Sequence, residues 1–122
     1  MAWQFNSHEA VFVQIATRLR GEIVRGTYAP GAQFPSVRQL ALEAAVNPNT
    51  MQRALVGLEE EGLLVTRGTL GRFVTANEAV LEEAKEKSRR DAVQSWIAQA
   101  RTMGISREQL IHYIEQEELW HE

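Results

Sequence analysis
The chain has 122 residues, 44% of them hydrophobic and 24% charged, which leaves room for one compact domain with an appendage and excludes wholesale disorder. It contains no cysteine, so disulfides and thiolate metal sites are excluded and a reducing compartment is favoured. The net charge of −3 is unevenly spread: residues 1–76 carry seven arginines against six glutamates, and residues 77–122 carry six basic against ten acidic side chains.

The start, MAWQFNSHEAV, has neither a basic leader region nor a long apolar run, and no window could span a bilayer. A cytoplasmic protein without membrane association is expected. Glu9 to Arg25 reads as a first helix, with Phe12, Ile15, Ala16, Leu19 and Ile23 on one stripe and Ser7 as its N-cap. Trp3 and Phe5 are expected to pack on the core rather than line an effector site. Gly26, Pro30 and Gly31 break the helix and make a loop.

FPSVRQLALEAAV gives a short second helix. Ser36 caps it with Gln39 closing a capping box, and Val37, Leu40, Ala41 and Ala44 share its inner face. NPNTMQRALVGLEEEGL gives a third. Asn47 is its N-cap, Pro48 takes the first helical position, and Gly62 ends it. Met51, Ala54, Leu55 and Leu58 must face inward. Asn49, Thr50, Gln52 and Arg53 therefore face outward beside a positive helix N-terminus, a surface suited to phosphates and base edges. The two helices and their tight turn make a helix–turn–helix.

LLVTRGTLGRFVT then reads as a hairpin, or wing. Leu63, Leu64 and Val65 form one arm, Phe73 and Val74 the other, and Gly68 to Gly71 the turn. Arg67 and Arg72 flank that turn, where they could reach a minor groove or a phosphate. No lysine precedes Lys85, and Glu59, Glu60 and Glu61 cluster at the far end of the third helix. The electrostatic footprint is modest, so binding should weaken quickly with salt and should need two copies of the domain.

After the wing, Asn77 caps a long helix to about Met103, ended by Gly104. Val80, Leu81, Ala84, Val93, Trp96, Ile97 and Ala100 form its apolar face, while the middle, KEKSRRD, is polar all round. Ser106 caps a last helix carrying Leu110, Ile111 and Ile114. Two such helices cannot bury enough apolar surface alone to offset their ordering entropy. Trp96, Ile97, Leu110, Ile114 and Trp120 need a partner surface, and a symmetric dimer is favoured over packing on the same chain. Glu108, His112 and Glu115 have spacing feasible for a metal, but a surface histidine among helix-stabilising glutamates is the commoner arrangement. No metal or cofactor is expected. No Ser/His/Asp set, phosphate-binding Gly loop or carboxylate dyad is visible, so catalysis is not expected either.

The segments AVFVQI, GTYAPGAQFPSVRQLA and NPNTMQRALVGLEEEGLLVTRGTLGRFV together resemble the GntR family of bacterial transcription regulators over roughly residues 10–75. The short two-helix tail looks like the YtrA-type subgroup, whose members lack a large effector domain and dimerise through such helices. The resemblance often implies control of transporter operons, though no residue here indicates it. It also implies that Ser36 and Arg38 contact phosphate and DNA, that Asn49, Thr50 and Gln52 occupy recognition-helix contact positions, and that Arg67 with Gly68 makes the wing contact. The chain departs from many relatives in having Pro48 and Gln52 where they have arginines, so base preference does not carry over. The larger ligand-binding tails of other members, with their metal-binding histidines, are not expected here.

The sequence therefore predicts a mainly α fold with a small β-hairpin: a winged helix–turn–helix over 1–76 and a two-helix dimerisation tail over 77–122. The expected DNA contacts are Ser36, Arg38, Asn47, Asn49, Thr50, Gln52, Arg53, Arg67, Gly68 and Arg72. The expected dimer seam is Val93, Trp96, Ile97, Ala100, Leu110 and Ile114. The expected partners are double-stranded DNA with a palindromic operator and a second copy of the chain, the protein acting as a repressor. A small-molecule sensor that releases DNA is compatible with this reading, although no pocket can be read from the sequence. A winged helix that binds protein would instead favour glutamates or an apolar patch at positions 49–53.

Overall fold
The computed structural model describes residues 2–116. Its elements run α1 (Val11–Val24), α2 (Val37–Ala44), α3 (Pro48–Glu60), β1 (Leu64–Thr66), β2 (Arg72–Val74), α4 (Glu78–Thr102) and α5 (Arg107–Gln116). The chain divides into two compact units, Met1–Lys85 and Glu86–Glu122.

In the first unit α1, α2 and α3 bury one face each. Ile15, Leu19 and Ile23 from α1 meet Leu40, Ala41 and Ala44 from α2 and Met51, Ala54, Leu55 and Leu58 from α3. Phe34, Leu63, Leu64 and Val74 complete this core, and Trp3 and Phe5 pack against it as expected. The division at Lys85 follows from α4, whose first turns lay Val80, Leu81 and Ala84 on the same core.

Capping explains most boundaries. Ser36 Oγ accepts the Gln39 N–H at 3.1 Å, but among the described residues no bond returns from the Gln39 side chain. The full reciprocal box forms instead at α5, where Ser106 Oγ accepts from Gln109 N and Gln109 Oε1 accepts from Ser106 N. Asn77 Oδ1 accepts from Ala79 N and Val80 N at the start of α4.

The start of α1 differs from expectation. The helix begins at Val11 behind Ala10, and Ser7 does not cap it. The Gln14 side chain is the reason: it donates to the carbonyls of Asn6 and Glu9 and accepts from Asn6 N, holding the incoming chain out of the helix.

The wing pairs Leu64 with Val74, Val65 with Phe73 and Thr66 with Arg72, and a single 3₁₀ turn, Gly68–Leu70, joins the strands. The loop before α2 adds a third segment alongside β2, which periodicity does not predict. Gln33 bridges Phe73, Phe34 N donates to Arg72 O, and Val74 N donates to Ala32 O.

In the second unit α4 and α5 turn at Gly104, and Ile105 N donates to Ala100 O across the turn. Between them lies an apolar cleft of about 710 Å³ lined by Val93, Trp96, Ile97, Ala100, Leu110 and Ile114 among others. Trp120 and His121 lie outside the described residues.

Candidate nucleic-acid interface
The N-terminus of α3 is fixed by its own first residues. Asn47 Oδ1 accepts the Asn49 N–H at 2.7 Å, and Pro48 supplies a preset φ at the first helical position. Asn47 thus serves the helix with its carbonyl oxygen and keeps its amide N–H₂ free. Behind it Asn49, Gln52 and Arg53 are exposed, while Thr50 is half-buried and offers less surface than its sequence position suggested. Arg53 has no carboxylate partner among the described residues. Its guanidinium carbon lies 3.8 Å from the ring centre of Phe12 on α1.

Phe12 lies on the apolar stripe of α1 and Phe73 on the second arm of the wing. Each is only partly buried, and each carries an arginine over its ring: Arg53 on Phe12, and Arg67 on Phe73 at 4.9 Å. A guanidinium stacked in this way keeps its in-plane donors available.

On α2, Ser36 Oγ is occupied as an acceptor but its hydroxyl proton remains to be donated. Arg38 is exposed and makes no hydrogen bond or ion pair among the described residues. At the wing tip Gly68 has φ 51° and open space around it, so a DNA backbone can approach closely there. Leu70 is 66% exposed at that tip. The tip is tied to the loop before α2, because Gln33 Nε2 donates to Leu70 O at 2.8 Å.

Arg72 behaves differently from Arg67. Its Nε donates to Glu59 Oε1, and Glu59 Oε2 accepts from Thr66 Oγ1 at 2.8 Å. Burial pushes the Glu59 carboxyl up, but the hydrogen bonds from Arg72 and Thr66, with the charge of Arg72, outweigh it and hold the group below the usual carboxylate value. One glutamate at the end of α3 therefore grips both strands of the wing. Glu61 acts similarly, taking a two-pronged bond from Arg20 of α1 at 2.8 and 2.6 Å. Two members of the acidic cluster at 59–61 are thus neutralised braces. The sequence offered no sign of these pairings, which join residues 13 and 41 positions apart.

The surface so assembled is a helix N-terminus bearing amides and one arginine, with Arg38 exposed on α2, Ser36 beside Thr66 and Arg72 of the wing, and Arg67 on the braced wing itself. This is the layout of a winged helix–turn–helix. The family "Bacterial regulatory proteins, gntR family" matches residues 12–74. The chain belongs to the GntR family. YhcF, an uncharacterized helix–turn–helix transcriptional regulator of Bacillus subtilis, is 32% identical over 111 residues, covering 91% of this chain and 92% of YhcF. The transcriptional repressor YtrA of the same organism is 30% identical over 111 residues, covering 90% of this chain and 85% of YtrA. A GntR family transcriptional regulator from Listeria monocytogenes has a similar solved structure, with a TM-score of 0.83 at 30% identity, covering 93% of this chain and 99% of that one. The protein is accordingly a GntR-type transcriptional regulator of the YtrA-like kind and not an enzyme. No helix among the described residues of this regulator is long and apolar enough to cross a membrane.

Proposed function
We propose that this GntR-type regulator is a dimeric repressor that binds a palindromic operator in the cytoplasm and acts by occluding it. The observation that carries the reading is the surface of α3: Asn49, Gln52 and Arg53 stand exposed, with no carboxylate among them. Asn and Gln suit adenine edges, and Arg suits guanine edges or phosphate. Ser36, Arg38 and Arg67 supply backbone contacts, Gly68 lets the wing close on the groove, and Asn47 and Thr50 contribute at the margin. Arg72 braces the wing through Glu59, so its role on DNA is indirect.

The second unit supplies dimerisation in this proposal. Val93, Trp96 and Ile97 are 53%, 51% and 41% exposed, a cost in water that a second copy would remove. Ala100, Leu110 and Ile114 complete the seam. The DNA-binding part extends past residue 76 to Lys85, since the first turns of α4 belong to its core. The apolar cleft also has the size of a small-ligand site, which favours an effector as a second reading: a ligand seated there would compete with the seam.

Sequencing of genomic fragments retained by the purified protein tests the proposal. The expected result is one enriched palindrome whose half-sites are centred about one helical turn apart. Retention of fragments without any shared motif would reject sequence-specific repression.

A further inference from the structure
Arg53 is the single basic residue in α3. It is held without an acid, although acids are used freely elsewhere in the same unit, with Arg20 on Glu61 and Arg72 on Glu59. The difference has a chemical consequence. A carboxylate engages the guanidinium edge, where the N–H donors are, and those two arginines are thereby occupied. An aromatic ring engages the guanidinium face and leaves five in-plane donors available. Base edges and phosphates are read by that edge.

We propose that Phe12, on α1 and outside the helix–turn–helix, is a positioning residue that presents Arg53 to DNA. The inference rests on the DNA-reading surface proposed above. Phe12 can do this because its own ring is partly buried and packed against the core, so it is a fixed platform. Arg53 follows Asn49 by one helical turn and lies on the same face of α3. Stacking at 3.8 Å restricts a side chain that would otherwise lose much of its rotamer freedom on binding, so part of the ordering cost is met before DNA arrives. A merely structural pair, in which Arg53 only shields the ring from water, would affect stability and leave DNA affinity untouched.

The test replaces Phe12 in the full chain by 4-fluoro-, 3,5-difluoro- and 3,4,5-trifluorophenylalanine. These rings keep the shape and burial of phenylalanine while weakening the attraction of its face for a cation. Affinity for a retained genomic fragment is then measured by fluorescence anisotropy, in the wild-type and Arg53→Ala backgrounds. Affinity should fall in graded order, reaching about 2- to 5-fold at three fluorines, and should not change with fluorination once Arg53 is alanine. A flat series in the wild-type background, or the same gradient without Arg53, overturns the inference while DNA binding stands. A wild-type protein that retains no DNA overturns both.

Discussion
Ala45 occupies the left-handed conformation, φ 58°, in the turn that joins α2 to α3. Among the described residues, α1, α2, α3 and α4 end in the same pair of backbone hydrogen bonds. Gly26, Gly62 and Gly104 take the left-handed position after α1, α3 and α4, and at α2 that position falls to Ala45, with Val46 N donating to Ala41 O and Ala45 N to Leu42 O. A Cβ in that conformation costs about 1–2 kcal/mol, against about 0.4–1 kcal/mol for the extra unfolded-state freedom of glycine. Ala45 is exposed, so little packing is lost on removing its methyl. Ala45→Gly should therefore stabilise the fold by up to about 1 kcal/mol, read as a higher urea midpoint with an unchanged slope. A lower midpoint would mean that the turn does not carry this strain.

Glu59 gives a second residue-level expectation. Its carboxyl titrates below the usual 4.5 in the folded chain, so its contribution is complete above that value and is lost as pH falls through the lower folded one. Glu59→Gln should flatten the decline in stability between about pH 5 and pH 3, measured by denaturant titration across pH. An unchanged profile would remove Glu59 as the brace between α3 and the wing.

Among the elements, α2 and α3 divide the work of binding. Arg38→Ala should weaken all DNA sequences about equally and lower the salt slope by roughly one unit, because α2 positions the domain on phosphate. An unchanged slope in an anisotropy salt titration would remove Arg38 from the contacts. Gln52→Ala should cost about 1–3 kcal/mol on the correct site and much less on random DNA, because α3 reads bases. Equal losses on both would assign Gln52 to positioning. Most of these elements could be read from the sequence because their signals are local. Ser36, Asn47, Gly62, Asn77, Gly104 and Ser106 act within a few residues of themselves, and Met51, Ala54, Leu55 and Leu58 repeat at helical spacing. The supports of the site could not be read, because they are pairings across long separations. Phe12 meets Arg53, Gln33 meets the carbonyl of Leu70, and Glu59 meets Arg72 only once the chain has folded. The start of α1 escaped for a related reason: Gln14 reaches eight residues back to Asn6, and Ser7 carries a capping residue type that the helix does not use.

At the scale of the whole molecule, the proposal separates reading from pairing. A chain ending at Lys85 keeps the core of the first unit, including Val80, Leu81 and Ala84, and should fold as a monomer. It should bind a half-site but lose the avidity of two linked domains, a drop of about 10²-fold or more on the palindrome. Equal binding by the short and full chains would end the case for the tail as a dimerisation device. The most direct measurement is the stoichiometry of the full-length chain on a retained palindromic fragment, by sedimentation velocity. Two chains on each duplex and a dimer before DNA is added are expected; a single chain on the duplex, with a monomer in free solution, would rule out the dimeric repressor.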